Sequence, residues 1–239
     1  MRLLLTRPEP GASATMARLA ALGHQVLSDP MLRIVPTGAA LPDADFDALA
    51  FTSLNAVRTL ANDDRAAKLF GVPAFAVGHR TAAEARGVGF RNVTDCAGDV
   101  GSLAHTLATH LPPGSRVLHA AGEDRAGNIG AAMAKWAILV EVCVLYRALP
   151  ASHLSVEAQG ALSAGRLEGV LHYSPRTAAA LLAAVQQAGL MDALAKLRHF
   201  CLSEAVAAPL RASGLNALSA GRPEEAALLA LLPAAAKAE

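Results

Sequence analysis

The strongest constraint in this chain is a rhythm. Short runs rich in leucine, valine and phenylalanine alternate with alanine-rich stretches of ten or more residues. Strand-like runs lie at residues 3–5, 25–27, 48–51, 74–77, 92–94, 116–119, 169–172, 200–202 and 216–218, and helix-like stretches at 13–22, 100–110, 125–136, 175–188 and 223–232. Two parallel strands can be joined only by a long crossover, which a helix fills, so strand–helix–strand repetition means parallel sheet. The pattern predicts an α/β fold.

Two segments break the rhythm. Met31-Leu-Arg-Ile-Val-Pro-Thr37 and Val140-Glu-Val-Cys-Val-Leu-Tyr-Arg-Ala-Leu-Pro150 look extended, and each runs into proline. The second exceeds the ~5–6 residues of an ordinary strand. Both read as connectors between two α/β bodies, and 239 residues is long for one domain of ~100–150. The expected division is a discontinuous first domain (1–33 plus 150–239), a second domain (38–142), and connectors at 34–37 and 143–149. An internal repeat points the same way. A shift of 125 residues lays Val77 on Leu202, Gly78 on Ser203, Arg86 on Arg211, Gly89 on Gly214 and Leu103 on Leu228, and a shift of 121 lays Phe51-Thr-Ser53 on His172-Tyr-Ser174.

Composition narrows the function. The balance of 21 basic and 20 acidic residues, +1 net, lacks the basic excess of a duplex nucleic-acid binder, and 53% hydrophobic residues exclude global disorder. Cys96, Cys143 and Cys201 lie far apart, unlike a zinc site or a disulfide framework, and suit a reducing compartment. The apolar start, Leu3-Leu-Leu5, is too short for a secretory segment of ~7–15 residues. The longest apolar run, 226–236, contains Pro233 and falls short of the ~20 residues of a membrane helix. The expectation is a cytoplasmic protein with no membrane and no nucleic-acid partner.

In open parallel sheets ligands bind beyond the carboxyl ends of the strands. Those positions carry Thr6, Thr52, Ser53, Gly78, Ser174 and Ser203. Ser174 before Pro175 is a strong helix start, and Ser53 is placed to cap the helix holding Val57 and Leu60. Free N–H groups at such ends attract anions. Taken singly each is an ordinary cap; several facing one cleft could hold a polycarboxylate. Tyr146 ends the second connector, and on the residues alone connector packing and a catalytic role are both open. Cofactor signatures are missing. Gly87-Val-Gly89 lacks a third glycine and precedes a strand, no phosphate loop or His-Glu-x-x-His occurs, and His105 and His110 are spaced wrongly to share a metal. No Gly-x-Ser-x-Gly elbow is present. No metal and no cofactor are expected.

Together these motifs resemble uroporphyrinogen-III synthase over essentially the whole chain. They are Thr6-Arg-Pro8, Phe51-Thr-Ser-Leu-Asn-Ala-Val57, Val77-Gly-His-Arg-Thr-Ala82, Val117-Leu-His-Ala-Ala-Gly-Glu-Asp-Arg125, Val144-Leu-Tyr-Arg147, Tyr173-Ser-Pro175, Cys201-Leu-Ser-Glu204 and the Pro223-Glu-Glu helix. Their order and spacing carry the resemblance. It implies two flavodoxin-like domains joined by a two-stranded ladder. It also implies a cofactor-free, cyclising lyase that closes the linear tetrapyrrole hydroxymethylbilane with loss of water and inversion of ring D through a spiro intermediate. The product, uroporphyrinogen III, serves haem and related syntheses.

By this resemblance Tyr146 is the residue that assists departure of the hydroxyl. Thr81, Ser53 and Ser174, with Thr6, Thr52, Gly78 and Ser203, line the cleft, and Arg7 and Arg125 are charge partners for the carboxylates. A monomer is implied, with transient contact with the preceding pathway enzyme left open. Two departures stand out: Val206 where the family often has threonine, and Ala137 where it often has glycine before the connector strand. The competing reading is a non-catalytic two-domain sensor for a small anionic ligand.

Overall fold

The computed structural model describes residues 1–233 except Pro10 and Ala126. The chain begins β1 (Arg2–Leu5), α1 (Gly11–Ala21), β2 (Gln25–Ser28) and β3 (Leu32–Pro36). It continues β4 (Ala48–Phe51), α2 (Leu54–Ala61), a 3-10 helix (Asp64–Gly71), β5 (Ala74–Ala76), α3 (His79–Gly87), β6 (Val93–Asp95), α4 (Val100–His110), β7 (Arg116–Gly122), α5 (Ile129–Ala134) and β8 (Leu139–Pro150). It ends α6 (Val156–Ser163), β9 (Gly169–His172), α7 (Pro175–Gln187), α8 (Met191–Ala195), β10 (Arg198–Cys201), α9 (Glu204–Ala212), β11 (Ala217–Ser219) and α10 (Glu225–Leu229). The fold is α/β with parallel sheets, as the rhythm predicts. Two compact units form, one from Met1–Arg33 with Leu149–Glu239 and one from Ile34–Ala148.

In the first unit the sheet order is β2-β1-β9-β10-β11, all parallel. Numbered within the unit this is 2-1-3-4-5, the flavodoxin-like order. Strand residues point alternately to opposite faces. Leu4, Val170 and Cys201 therefore pack with α6, α7, α8 and α9, while Leu3, Leu5, Leu171 and Phe200 pack with α1 and α10. Leu3, Leu4 and Leu5 are all fully buried, which is why so short a run holds the centre of the sheet. Each such leucine is worth roughly 1.5–3 kcal/mol.

In the second unit the order is β6-β5-β4-β7-β8, with β3 beyond β8 at the edge. If β7 is taken as the first strand, this again reads 2-1-3-4-5. The β7–α5–β8 portion corresponds to β1–α1–β2, and β4–β5–β6 to β9–β10–β11. The second unit is thus a circular permutation of the first. Leu49, Phe51, Leu118 and Leu145 pack on one face with α2, the 3-10 helix and α3, around Phe90, whose ring meets those of Phe51 and Phe70. Ala48, Ala50, Phe75 and Val117 pack on the other face with α4 and α5. Where the first unit has α6, the second has only the segment 37–47, whose Ala39, Leu41, Ala44 and Phe46 cover the same face.

The long second connector is a single strand with two partners. Its first part pairs parallel with β7 from Leu139 to Tyr146. Beside β3 it runs antiparallel, bracketed by Thr37 N to Leu145 O (2.9 Å) and Ala151 N to Met31 O (3.0 Å). One expectation needs correcting. The stretch 125–136 holds only the short helix α5, because Gly127 takes a left-handed φ of 94° and Asn128 caps the helix one residue later. Among the described residues no helix is long and apolar enough to cross a membrane, and no cluster of three His, Cys, Asp or Glu could hold a metal.

Candidate active site

Where strand order reverses, the loops after two neighbouring strands diverge and leave a crevice at the carboxyl edge. In the second unit that switch point lies between β7 and β4. Ser53 follows β4 as the N-cap of α2, and its Oγ accepts from Asn55 N at 3.1 Å. The Tyr146 hydroxyl donates to the same oxygen at 2.8 Å. A serine hydroxyl has two acceptor sites and one hydrogen. With both acceptor sites taken, the function left to Ser53 is to donate.

A bulge in the β7–β8 ladder, between Ala121 and Gly122, sets Tyr146 opposite Gly122. Glu123 N donates to Tyr146 O at 2.9 Å. A side chain at position 122 would collide with the ring, since its Cβ would lie 2.6 Å from the Tyr146 Cζ. Glycine is required there so that the phenol can lie flat against the strand and reach Ser53. Next to Ser53, Thr52 pairs its Oγ1 with His119 Nε2 at 3.0 Å. His119 is buried, and burial, with the Arg125 charge adding to it, pushes its pKa down to about 4. It is therefore a neutral ring at ordinary pH, and its Nδ1 has no partner among the described residues.

In the first unit the switch point lies between β1 and β9. Thr6 is fully buried and its hydroxyl donates to Leu171 O at 3.2 Å, so it ties the two strands together. Ser174 caps α7, accepting from Thr177 N at 3.1 Å, and also meets the Thr177 hydroxyl at 3.0 Å. Arg7 lies over the Tyr173 ring at 4.4 Å and donates to Thr15 Oγ1 and Glu225 Oε1, both at 3.1 Å. Thr15 and Tyr173 donate to that same Oε1 at 2.5 and 2.9 Å, and Arg18 pairs with Oε2. Burial raises the Tyr173 pKa although Arg7 opposes it, so the phenol stays protonated and donates.

One strand further out in each unit, the helix starts are bare. Gly78 before α3 and Ser203 before α9 occupy the N-cap with no side-chain cap bond, leaving first-turn N–H groups for an anion. Thr81 is buried in the first turn of α3, and Val206 is buried in that of α9. Arg125 is exposed in the loop after β7. The structure thus joins Ser53 to Tyr146, with Thr52 beside them on His119, in one unit; in the other Thr6 is turned back onto the Leu171 carbonyl, Ser174 onto Thr177, and Arg7 onto Tyr173 and Glu225. Sequence reasoning missed His119, Thr15, Arg18 and Glu225. Glu225 gave no signal, since it meets Arg7 across 218 positions.

Solved structures match in fold. A uroporphyrinogen-III synthetase from Helicobacter pylori 26695 is 19% identical, with a TM-score of 0.62 over 97% of this chain and 98% of that one. A mutant uroporphyrinogen III synthase from the extremely thermophilic bacterium Thermus thermophilus is 18% identical over 96% of each chain, with a TM-score of 0.49; the likeness in fold rests on the first alone. None of the curated proteins matches the chain. Residues 13–230 match the family model HEM4, described as uroporphyrinogen-III synthase HemD; that span is nearly the whole chain, and the protein belongs to the uroporphyrinogen-III synthase family.

Proposed function

We propose that the chain closes hydroxymethylbilane into uroporphyrinogen III, acting as a water-eliminating lyase whose chemistry centres on Tyr146, Ser53 and Thr52. The observation that carries this reading is the Ser53 hydroxyl, filled on its acceptor side by Asn55 N and the Tyr146 phenol and left with a hydrogen to give. The lone pair of the terminal pyrrole nitrogen expels the substrate hydroxyl. Ser53 gives that oxygen a proton and takes one from Tyr146, so the oxygen leaves as water. The start of α2 stabilises the negative charge left on the relay.

The resulting azafulvene is attacked by a substituted carbon of ring D, giving the spiro intermediate. That intermediate breaks the original bridge bond at the spiro carbon, and the freed bridge carbon closes on the other, unsubstituted α-carbon of ring D. The C–H proton lost as the pyrrole regains aromaticity restores the proton lent by the protein, so water is the only net loss. Because the nitrogen already pushes the hydroxyl out, a weak acid is enough, and positioning carries most of the selectivity. The bare N–H groups after Gly78 and Ser203 are proposed to receive carboxylates, with Thr81 and Arg125 assisting in the second unit. The proposed setting is the cytoplasm, where three buried unpaired thiols stay reduced, and the proposed working form is a monomer.

The test supplies freshly made hydroxymethylbilane, then oxidises and separates the porphyrin isomers. Type III in excess is the expected result; type I alone, at the buffer rate, defeats the reading. Tyr146→Phe is expected to lower kcat about a hundredfold, the low end for a general acid, with the fold intact by circular dichroism. A wild-type rate in that variant removes the phenol from the reaction.

A further inference from the structure

We propose that the switch point of the first unit is a carboxylate-binding site that the protein keeps filled with its own Glu225, and that an acetate or propionate arm of the substrate displaces this side chain. The proposal deepens the functional reading above and rests on it. A carboxylate can accept about four hydrogen bonds. Glu225 receives such a set from Arg7, Thr15, Tyr173 and Arg18. None of these donors lies on the helix that carries Glu225. They come from the loop after β1, from α1, and from the residue after β9, so the cradle is complete without its present occupant.

The cradle is also rigid. Arg7 stacks on Tyr173 and occupies the space over Gly11, where a Cβ would lie 2.0 Å from its Nε. A guanidinium locked by packing is preorganised for a planar carboxylate. Two arginines face one carboxylate, so the cluster keeps a surplus positive charge that suits a polyanionic ligand. The occupant, by contrast, sits on a short element. Glu225 opens a helix of only five residues, which Leu228 anchors to the core. Its flexible side chain can swing out while that anchor stays in place. The way out is on the Arg18 side, where the side chain is 59% exposed, against 18% for Arg7.

A mere tether for the last helix would show the same bonds but behave differently when the charge is removed. Glu225→Gln keeps the shape and loses the competing charge. Wild type and variant are each titrated calorimetrically with tricarballylate, a tricarboxylate without pyrrole, and their KM for hydroxymethylbilane is measured. The variant is expected to bind tricarballylate about tenfold tighter and to show a lower KM, and adding Arg18→Gln to it should abolish the gain. Equal or weaker binding in the variant, or a gain that survives Arg18→Gln, overturns the proposal. If Glu225→Gln does not fold, Glu225→Ala, which also removes the competing charge, is titrated instead and read the same way. The titration needs no turnover. A wild-type chain that makes no type III isomer would therefore defeat the functional reading and leave this site to be judged on binding. A flat titration in an active enzyme would defeat the site alone.

Discussion

The two units are one architecture cut at different places, and their switch points have diverged. The 121-residue shift lays Ser53 on Ser174 and Thr52 on Tyr173, and both serines do cap the helix that follows. In the first unit the tyrosine after β9 is spent on a closed ionic cluster with Arg7 and Glu225. In the second, the tyrosine arrives from β8 and backs a serine that still has a hydrogen to offer. The same scaffold position has thus become a charge-lined grip in one unit and a neutral hydroxyl relay in the other. Shared topology fixes where a crevice lies; the few residues after each strand decide what it does.

The sharpest way to break the contrast is to unseat the phenol without touching it. Gly122→Ala puts a methyl group into the Tyr146 ring, so the ring must leave Ser53. Turnover is expected to fall about a hundredfold while stability drops by roughly 1–3 kcal/mol from overpacking. A rate within a few-fold of wild type would show that the Ser53 contact is not needed.

Acid should separate the units next. His172 Nε2 meets His199 Nδ1 at 3.1 Å, and His199 Nε2 meets the Leu194 carbonyl at 3.2 Å. A carbonyl can only accept, so His199 carries its proton on Nε2 and His172 donates to His199 Nδ1. The chain needs an unprotonated His199 Nδ1, so that ring is neutral, and burial lowers both pKa values, that of His172 to about 3. The folded state therefore resists protons that the unfolded state takes up below about pH 6.5. Stability is present above that pH and is lost as pH falls below it, by up to ~1.4 kcal/mol per pH unit for His172 down to about pH 3, with His199 adding to the loss. Burial also lowers the pKa of His24, so the first unit holds three such rings, against His119 alone among the described residues of the second. Hydrogen exchange at pH 5 against pH 7 should show the first unit opening more; equal loss in both would refute the assignment.

The smallest effect concerns matching turns. Gly23 leads into β2 with φ 78°, and its counterpart Ala137 leads toward β8 with φ 55°. Alanine is strained in that left-handed region by about 1 kcal/mol. Ala137→Gly should stabilise the second unit by up to about 1 kcal/mol in urea unfolding, and no gain would mean the strain is relieved elsewhere.

Much of this fold is legible in the sequence because burial on both faces writes itself into short apolar runs: 48–51 and 169–172 are strands with those bounds. The capping serines are equally legible, since Ser174 precedes a proline at the first helical turn. α9 continues through Pro209 near its end. The site was legible only where its chemistry is local. The phenol of Tyr146 stands out as a residue, but its contact with Ser53 needs a bulge that no spacing announces. The Arg7–Glu225 cluster and the His172–His199 chain are products of three-dimensional register between distant strands, and single-sequence periodicity carries no information about them.

The interleaving of the two units also sets an order of birth. Residues 34–148 form a unit from one continuous stretch, whereas the other must join its first 33 residues to partners that begin at 149. On the ribosome the β1 leucines emerge well before β9, their neighbour in the sheet, and wait while more than a hundred further residues are made. At roughly 5–20 residues per second that delay is on the order of ten seconds. The nascent chain carries an unfinished sheet edge at β1 throughout the synthesis of the second unit.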